Sequence, residues 1–451
     1  MDYRLTELEI ALARDCMAFA LDHGAEKVRI TLNKSLLEVF GMLNGELDKV
    51  KHALDRSLQV TLFVDGRFGS FSSNRLQKED LHQFIRGAID TVRTLEPDAT
   101  RDLPAPERTA KDALTGLELD LYDPAYETLT SEMRREMALK TAVWQHKAEL
   151  EKGFTLISEE GEYSDSLFDT LVMDSNGLFA RHTETSFDIA YDVTVEDAGG
   201  NRFSSYWWDS SPRLEKVLPA LQSCSKTAVE RAAKQIGPQD HPGGKCSIVV
   251  DSECAAKFVT PLLNALNGYA VQQHNSFLLD KIGQQVFSER LTILDVPRKK
   301  GEGGSRLYDS EGVATTEYSI IDKGVPTRYF LNTYIAAKMD LEPTIEDATR
   351  PKVLPWGGCK TREDVLRKVG SGILITDFNG GNANTSTGDF SYGIEGFAFE
   401  DGRITHPVRE MLVTGNYIDL WNKLILVADD ARPCKPKLIP TLAFENVDCN
   451  A

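Results

Sequence analysis

A chain of 451 residues is too long for one ordinary core, which predicts two or three domains. Its 41% hydrophobic and 27% charged residues are those of a water-soluble globular protein, and no apolar run is long enough to span a bilayer. A net charge of −18 repels phosphate backbones, and the short cluster Arg298-Lys299-Lys300 is no basic stripe, so nucleic-acid binding is not expected.

Taken in chain order, the opening residues Met1-Asp2-Tyr3-Arg4-Leu5 lack the apolar centre of a signal peptide. Leu5, Leu8, Leu12, Cys16 and Phe19 recur at helical spacing, with Gly24 placed to end the helix. Val28, Ile30 and Leu32 alternate as a strand, and residues 36–43 read as another. Residues 58–64, the pair Asp65-Gly66 and residues 67–72 form the clearest hairpin. Leu81, Phe84, Ile85, Ala88, Ile89 and Val92 make a second amphipathic helix. A proline-bearing connector covers 96–116, and a polar helix is expected over about 130–150. A meander follows: 154–158, 167–173, 178–182, 186–195 and 202–208 read as strands. A helix over about 214–235 then leads into the Gly/Pro-rich linker 237–244. The fold class is therefore α+β. An N-terminal helix-on-sheet half (1–96) is followed by a central helix with β-meander (117–236), then a mixed, strand-rich C-terminal domain (245–451).

Most candidate chemistry fails on spacing. Gly243-Gly244-Lys245-Cys246 resembles the end of a phosphate loop, but Gln239 stands where a glycine is required and Cys246 where Ser or Thr is required; it reads as linker. Gly301-Glu302-Gly303-Gly304 lacks the strand–helix context of a dinucleotide site. No Gly-x-Ser-x-Gly elbow exists. None of the eight histidines lies within five residues of another, so no close pair of zinc ligands is offered on one helix face. The seven cysteines are scattered without a Cys-x-x-Cys pair, which fits small buried hydrophobes in a reducing, cytoplasmic compartment.

The most informative stretch lies near the C-terminus: Thr387-Gly388-Asp389-Phe390-Ser391-Tyr392-Gly393, inside the glycine-rich run 379–396. It continues as Gly396-Phe397-Ala398-Phe399-Glu400, Asp401-Gly402-Arg403-Ile404, Pro407-Val408 and Thr414-Gly415-Asn416. Aromatics alternate with residues that tolerate φ > 0, a pattern of close-packed strands and tight turns. This stretch resembles the signature of the TldD/PmbA metalloprotease family, some of whose members carry a name linking them to DNA gyrase. That family pairs a zinc-bearing peptidase subunit with a metal-free sister, TldE or PmbA. The zinc subunits carry His-Glu-x-x-x-His on a helix after the central linker and a cysteine ligand near the C-terminus. Here the matching stretch is 248–258, with Ser252 and Lys257 in place of the two histidines and Glu253 retained; Cys434 falls near the cysteine position. A charged ammonium does not coordinate zinc and serine is a poor ligand. Residues 276–283, 287–292 and 308–315 also resemble the metal-free sister.

The resemblance implies a non-catalytic subunit of a TldD/TldE-type zinc peptidase acting on peptides or unfolded segments. It implies no cofactor in this chain, zinc in a TldD-like partner, and possible association with a second copy. Main-chain pairing suits an extended peptide, and Asn379, Gly380, Gly381, Thr387, Asp389 and Phe390 are candidates to line its path; tight-turn demands explain the same glycines equally well. Two alternatives stay open. The chain could be an unconventional peptidase with Glu253 as base and Cys254 as nucleophile on an apolar helix, or a gyrase-linked regulator without catalysis.

Overall fold

The computed structural model describes residues 3–144 and 153–450, which divide into two compact units, 1–233 with 298–315 and 234–297 with 316–451. Neither unit is one continuous stretch of chain.

In the first unit α1 (Glu7–Asp22) starts at a capping box in which Thr6 and Glu9 satisfy each other's backbone amides. Its buried stripe is Ile10, Ala13, Cys16 and Ala20, whereas Leu8 is 83% exposed. The stripe is thus rotated from the one expected through Leu8 and Leu12. The strands β1 (Lys27–Leu43), β2 (Glu46–Val64), β3 (Arg67–Ser73), β4 (Thr155–Asp174), β5 (Phe179–Glu196) and β6 (Arg202–Ser211) form one antiparallel sheet in the order β3-β2-β1-β4-β5-β6. The hairpin at Asp65-Gly66 is where the pattern put it. The stretches that read as short separate strands are continuous: 28–32 with 36–43, 154–158 with 167–173, and 178–182 with 186–195.

Helix α1 and α2 (Lys78–Val92) cover one face through a core that includes Val28, Ile30, Leu32, Leu58, Val60, Leu171 and Met173. On that face Lys34 is buried, donating to the Arg4 carbonyl at 3.0 Å. Helix α3 (Ser131–Thr141) is shorter than the expected 130–150 segment, whose last residues lie outside the described ones. It is tied to the sheet by Arg134, which makes a forked pair with the buried Asp165 at 2.7 and 3.0 Å. The helix expected over 214–235 is split at Pro219 into Leu214–Val217 and α4 (Ala220–Ala233), since proline cannot donate within a helix. Residues 298–315 return to this unit, where Leu307 and Tyr308 pack with Ala110, Leu119, Leu121, Val172 and Leu178.

The second unit has a small sheet of β8 (Ile293–Asp295), β9 (Tyr318–Asp322), β10 (Val325–Pro326) and β11 (Pro351–Val353). Its larger sheet contains β7 (Gly244–Val250), β12 (Gly372–Ala383), β13 (Asp389–Glu400), β14 (Arg403–Asn416), β15 (Leu424–Val427) and β16 (Leu442–Asn450) in the order β14-β13-β12-β7-β16-β15. The pair β7–β12 is parallel and the others antiparallel, and β14 also pairs with β16, so the sheet closes on itself. Helix α5 (Ala256–Ala265) follows β7, and α6 (Arg362–Val369) packs Val365 and Leu366 against Val249, Leu374, Phe399 and Ala443. The segment Gly244-Lys245-Cys246 is part of strand β7, so the linker expected over 237–244 ends where this strand begins. All seven cysteines are free thiols. No helix among the described residues is long and apolar enough to cross a membrane.

Candidate functional site

Strand β7 ends at Val250, and residues 251–255 form a turn ahead of α5. Ser252, Glu253 and Cys254 therefore sit in a turn, not on the helix expected for this stretch; Lys257 lies in the first turn of α5. Asp251 builds the turn. Its Oδ1 accepts from the Glu253 amide at 2.9 Å, and its carbonyl accepts from the amides of Cys254 and Ala255 at 3.0 and 2.9 Å. Its Oδ2 accepts from Arg362 Nη1 at 2.7 Å, which anchors the turn to α6. These are the side-chain bonds by which Asp and Asn favour turns.

Glu253 is held by two cations. Arg432 Nη1 lies 3.0 Å from its Oε2, and Lys435 Nζ lies 2.9 Å from the same oxygen. Lys435 Nζ also donates to the carbonyls of Glu253 and Ser252 at 2.9 and 3.3 Å. The Glu253 side chain is 10% exposed and its partners 17% and 13%, so water screens these pairs weakly. Arg432 and Lys435 flank Cys434 in the loop between β15 and β16, which brings that loop to the Ser252–Glu253 turn. Neither cation was visible as a partner in sequence, because 179 and 182 residues separate them from Glu253; the signal was two basic residues beside the cysteine that the family resemblance brings to this place. Lys257 Nζ lies 4.9 Å from the centre of the Tyr392 ring, a cation–π contact. Cys254 Sγ lies 3.5 Å from the carbonyls of Asp251 and Ile375.

This donor set does not fit zinc. Ser252 and Lys257 offer a hydroxyl and an ammonium, neither a good zinc ligand, and the Glu253 carboxylate is already paired with two cations. No cluster of three or more His, Cys, Asp or Glu with metal-binding geometry occurs among the described residues.

The glycine-rich run forms the β12–β13 hairpin. Strand β12 pairs with β7 only over Ile373–Ile375, and with β13 along nearly its whole length, past two bulges. On its β7 side residues 376–383 meet no strand partner among the described residues, and Asn379, Gly380, Gly381 and Asn382 are exposed. At Gly381, with φ 95°, a Cβ would come within 2.0 Å of the Ser391 carbonyl; Gly380 faces open space. Thr387, Asp389 and Phe390 are placed differently. Asp389 Oδ1 accepts from Asn416 Nδ2 at 2.9 Å and its Oδ2 from Thr387 Oγ1 at 2.7 Å; these two donors hold its carboxyl below the usual range. Phe390 is buried in an aromatic cluster with Phe258, Tyr392 and Tyr417. There the Tyr392 and Tyr417 hydroxyls lie 2.8 Å apart, and burial pushes both phenols up. The run thus presents a backbone edge at 379–382 and a pinned turn with a packed aromatic at 387–390.

Three domain models cover most of the chain: PmbA/TldA metallopeptidase domain 1 over residues 32–91, the central domain over 127–236 and the C-terminal domain over 243–451. The chain is 27% identical to Metalloprotease PmbA of Escherichia coli O157:H7 over 390 residues, covering 86% of this chain and 84% of that protein. A crystal structure from Bacteroides thetaiotaomicron described as a "putative modulator of DNA gyrase" is 37% identical, covers 99% of both chains and superposes with a TM-score of 0.92. TldE from Thermococcus kodakarensis shares the fold at 17% identity and a TM-score of 0.81, over 98% of this chain and all of that one. With all three domains matched in order along one chain, this protein belongs to the PmbA/TldD metallopeptidase family.

Proposed function

We propose that this chain is a PmbA/TldE-like subunit that carries no zinc and does not itself cut peptides, and that it works in the cytoplasm beside a TldD-like zinc subunit. The observation that carries the reading is the clasp on Glu253. A general base must reach a water that a metal or another group activates, whereas both contacts to Oε2 come from cations and the neighbouring positions are Ser252 and Lys257. The extended edge at 376–383 supports a role in holding a peptide by main-chain hydrogen bonds, which suits varied side chains. A cysteine peptidase is less well supported, since Cys254 Sγ lies 3.5 Å from the carbonyl oxygens of Asp251 and Ile375, which accept a hydrogen bond from a thiol without taking its proton.

The test is metal content together with peptide cleavage. After incubation with zinc and gel filtration, the purified chain is expected to retain far less than one zinc and to leave peptides intact. Adding the zinc-motif sister chain from the same genome should produce cleavage faster than the sister alone. About one tightly bound zinc per chain, or cleavage by this chain alone that Glu253→Gln abolishes, would overturn the proposal.

A further inference from the structure

The first sheet ends in the short strand β3, and α2 lies over that end. One side of α2 faces α1, where Lys78 and His82 each lie 2.7 Å from an Asp15 carboxylate oxygen. The opposite side carries Asp80, Phe84, Gly87 and Thr91, a stripe at helical spacing. Between this stripe and Phe71, Ser73 and Arg75 runs an open groove of about 580 Å³. Its length along α2, about 16 Å, matches five residues of extended chain.

The edge of β3 beside the groove is unpaired. The two-residue turn Asp65-Gly66 makes Val64 and Arg67 a hydrogen-bonded pair, so Gly69, Phe71 and Ser73 turn their amides toward β2, and Ser70 and Ser72 turn theirs outward. The following connector covers only the start of the strand: the Asp98 amide reaches the Gly66 carbonyl at 3.1 Å, and Arg67 Nε the Leu95 carbonyl at 2.7 Å. The outward main-chain groups of Ser70 and Ser72 meet no partner among the described residues. Two residues of the groove have no structural use within this chain. Gly87 lies in an exposed helix interior, where glycine costs about 1 kcal/mol relative to alanine, yet a Cβ there would meet no atom within 4 Å. The Arg75 guanidinium has neither an ion pair nor a hydrogen bond among the described residues, whereas Asp80 sits in the first turn of α2, where the helix N-terminus favours a carboxylate.

We infer that β3 and α2 form a docking groove for an extended segment of another protein with the pattern acidic–x–apolar, added antiparallel as a strand beyond β3. Ser70 and Ser72 exchange main-chain hydrogen bonds with it. Opposed residues of a ladder share a face, so the apolar residue facing Phe71 enters beside Phe84 and Gly87, and the acidic residue two places earlier, facing Ser73, reaches Arg75. Val92 closes the far end, packed over Gly69, where a Cβ would come within 2.7 Å of it.

The inference goes beyond the proposed function, and its test needs neither zinc nor a sister chain. The probe is the fluorescein-labelled peptide Ser-Thr-Glu-Thr-Leu-Thr-Ser, titrated with the full-length chain by fluorescence anisotropy. Saturable binding is expected below about 1 mM. Arg75→Glu should weaken it about fivefold or more, and a peptide with lysine in place of glutamate should recover binding to that variant. Gly87→Leu should weaken it about tenfold or more, whereas Gly87→Ala should raise the urea midpoint of the fold; circular dichroism checks that each variant folds. Proline in place of the threonine between glutamate and leucine should abolish binding, since it removes the amide paired with Ser72. No saturable binding up to that concentration would overturn the inference. So would binding indifferent to both Arg75→Glu and Gly87→Leu, or a groove already filled by a second copy, seen as a dimer that Gly87→Leu splits into monomers.

Discussion

Glu253→Ala is expected to act on stability, by removing the carboxylate that Arg432 and Lys435 share. Both cations are weakly exposed, so the change should destabilise the fold measurably, by less than the roughly 3–5 kcal/mol of a fully broken buried pair because Lys435 keeps its bonds to the Ser252 and Glu253 carbonyls. Urea unfolding should register that loss, while cleavage by an assembled pair, measured below the new midpoint, should stay near normal. Retention of Glu253 could be read from sequence; its neutralisation could not, because the partners come from a distant loop. His182 gives a second handle. Burial pushes its imidazole below the ordinary 6.5 despite the Glu184 carboxylate 3.1 Å away, with Arg306 also opposing the charged ring. The unfolded chain therefore binds this proton more readily. Stability contributed by the neutral ring is present above pH 6.5 and is lost as pH falls from there through the lowered folded value. His182→Gln should flatten that part of the pH–stability curve, measured by urea midpoints at a series of pH values.

At the scale of elements, one helix and one hairpin turn on single residues. Arg134→Met would leave Asp165 fully buried without its fork and loosen α3 from β4, at a cost of about 3–5 kcal/mol, measurable by denaturant titration. Gly381→Ala would drive a methyl into the Ser391 carbonyl in a left-handed backbone conformation, so β12 and β13 should part there, at a cost of roughly 2 kcal/mol or more. Gly380→Ala meets no atom, so it should cost less than Gly381→Ala in the same titration while still placing a side chain on the exposed edge. The same buried charges explain which parts of the fold were legible. The tight hairpin at Asp65-Gly66 and the amphipathic α2 follow from local pattern. The long strands did not, because Lys34 and Asp165 fall in the gaps 33–35 and 159–166, where they interrupt the apolar alternation on the core-facing side. Each is satisfied inside, Lys34 by Arg4 and Glu9 and Asp165 by Arg134, partners that no local window contains. Where the 251–255 turn gives way to α5 was likewise hidden, since Ser, Glu and Cys suit either conformation.

For the molecule as a whole, the inserted connectivity matters more than composition. Residues 298–315 complete the first unit after the chain has left it, and Leu307 and Tyr308 cover Ala110, Leu119 and Leu178. A cut in the 237–244 linker should therefore not release a stable N-terminal half: the fragment 1–236 is expected to bind a hydrophobic dye and to melt below the intact chain, measured by dye fluorescence and calorimetry. The same connectivity sets an order of events during synthesis. When residue 233 leaves the ribosome the first sheet is chemically complete, but Leu307 and Tyr308, which complete the cluster around Val172, Leu178 and Ala180, are not yet made. About 80 more residues must be made before the covering strap arrives, a wait of roughly 4–16 seconds at ordinary elongation speeds. For that interval the nascent chain exposes the apolar side chains that the strap later covers, a feature that chaperones and aggregation partners recognise. Slowing translation between codons 233 and 315 should lower the soluble yield of this protein more than the same delay placed after codon 315.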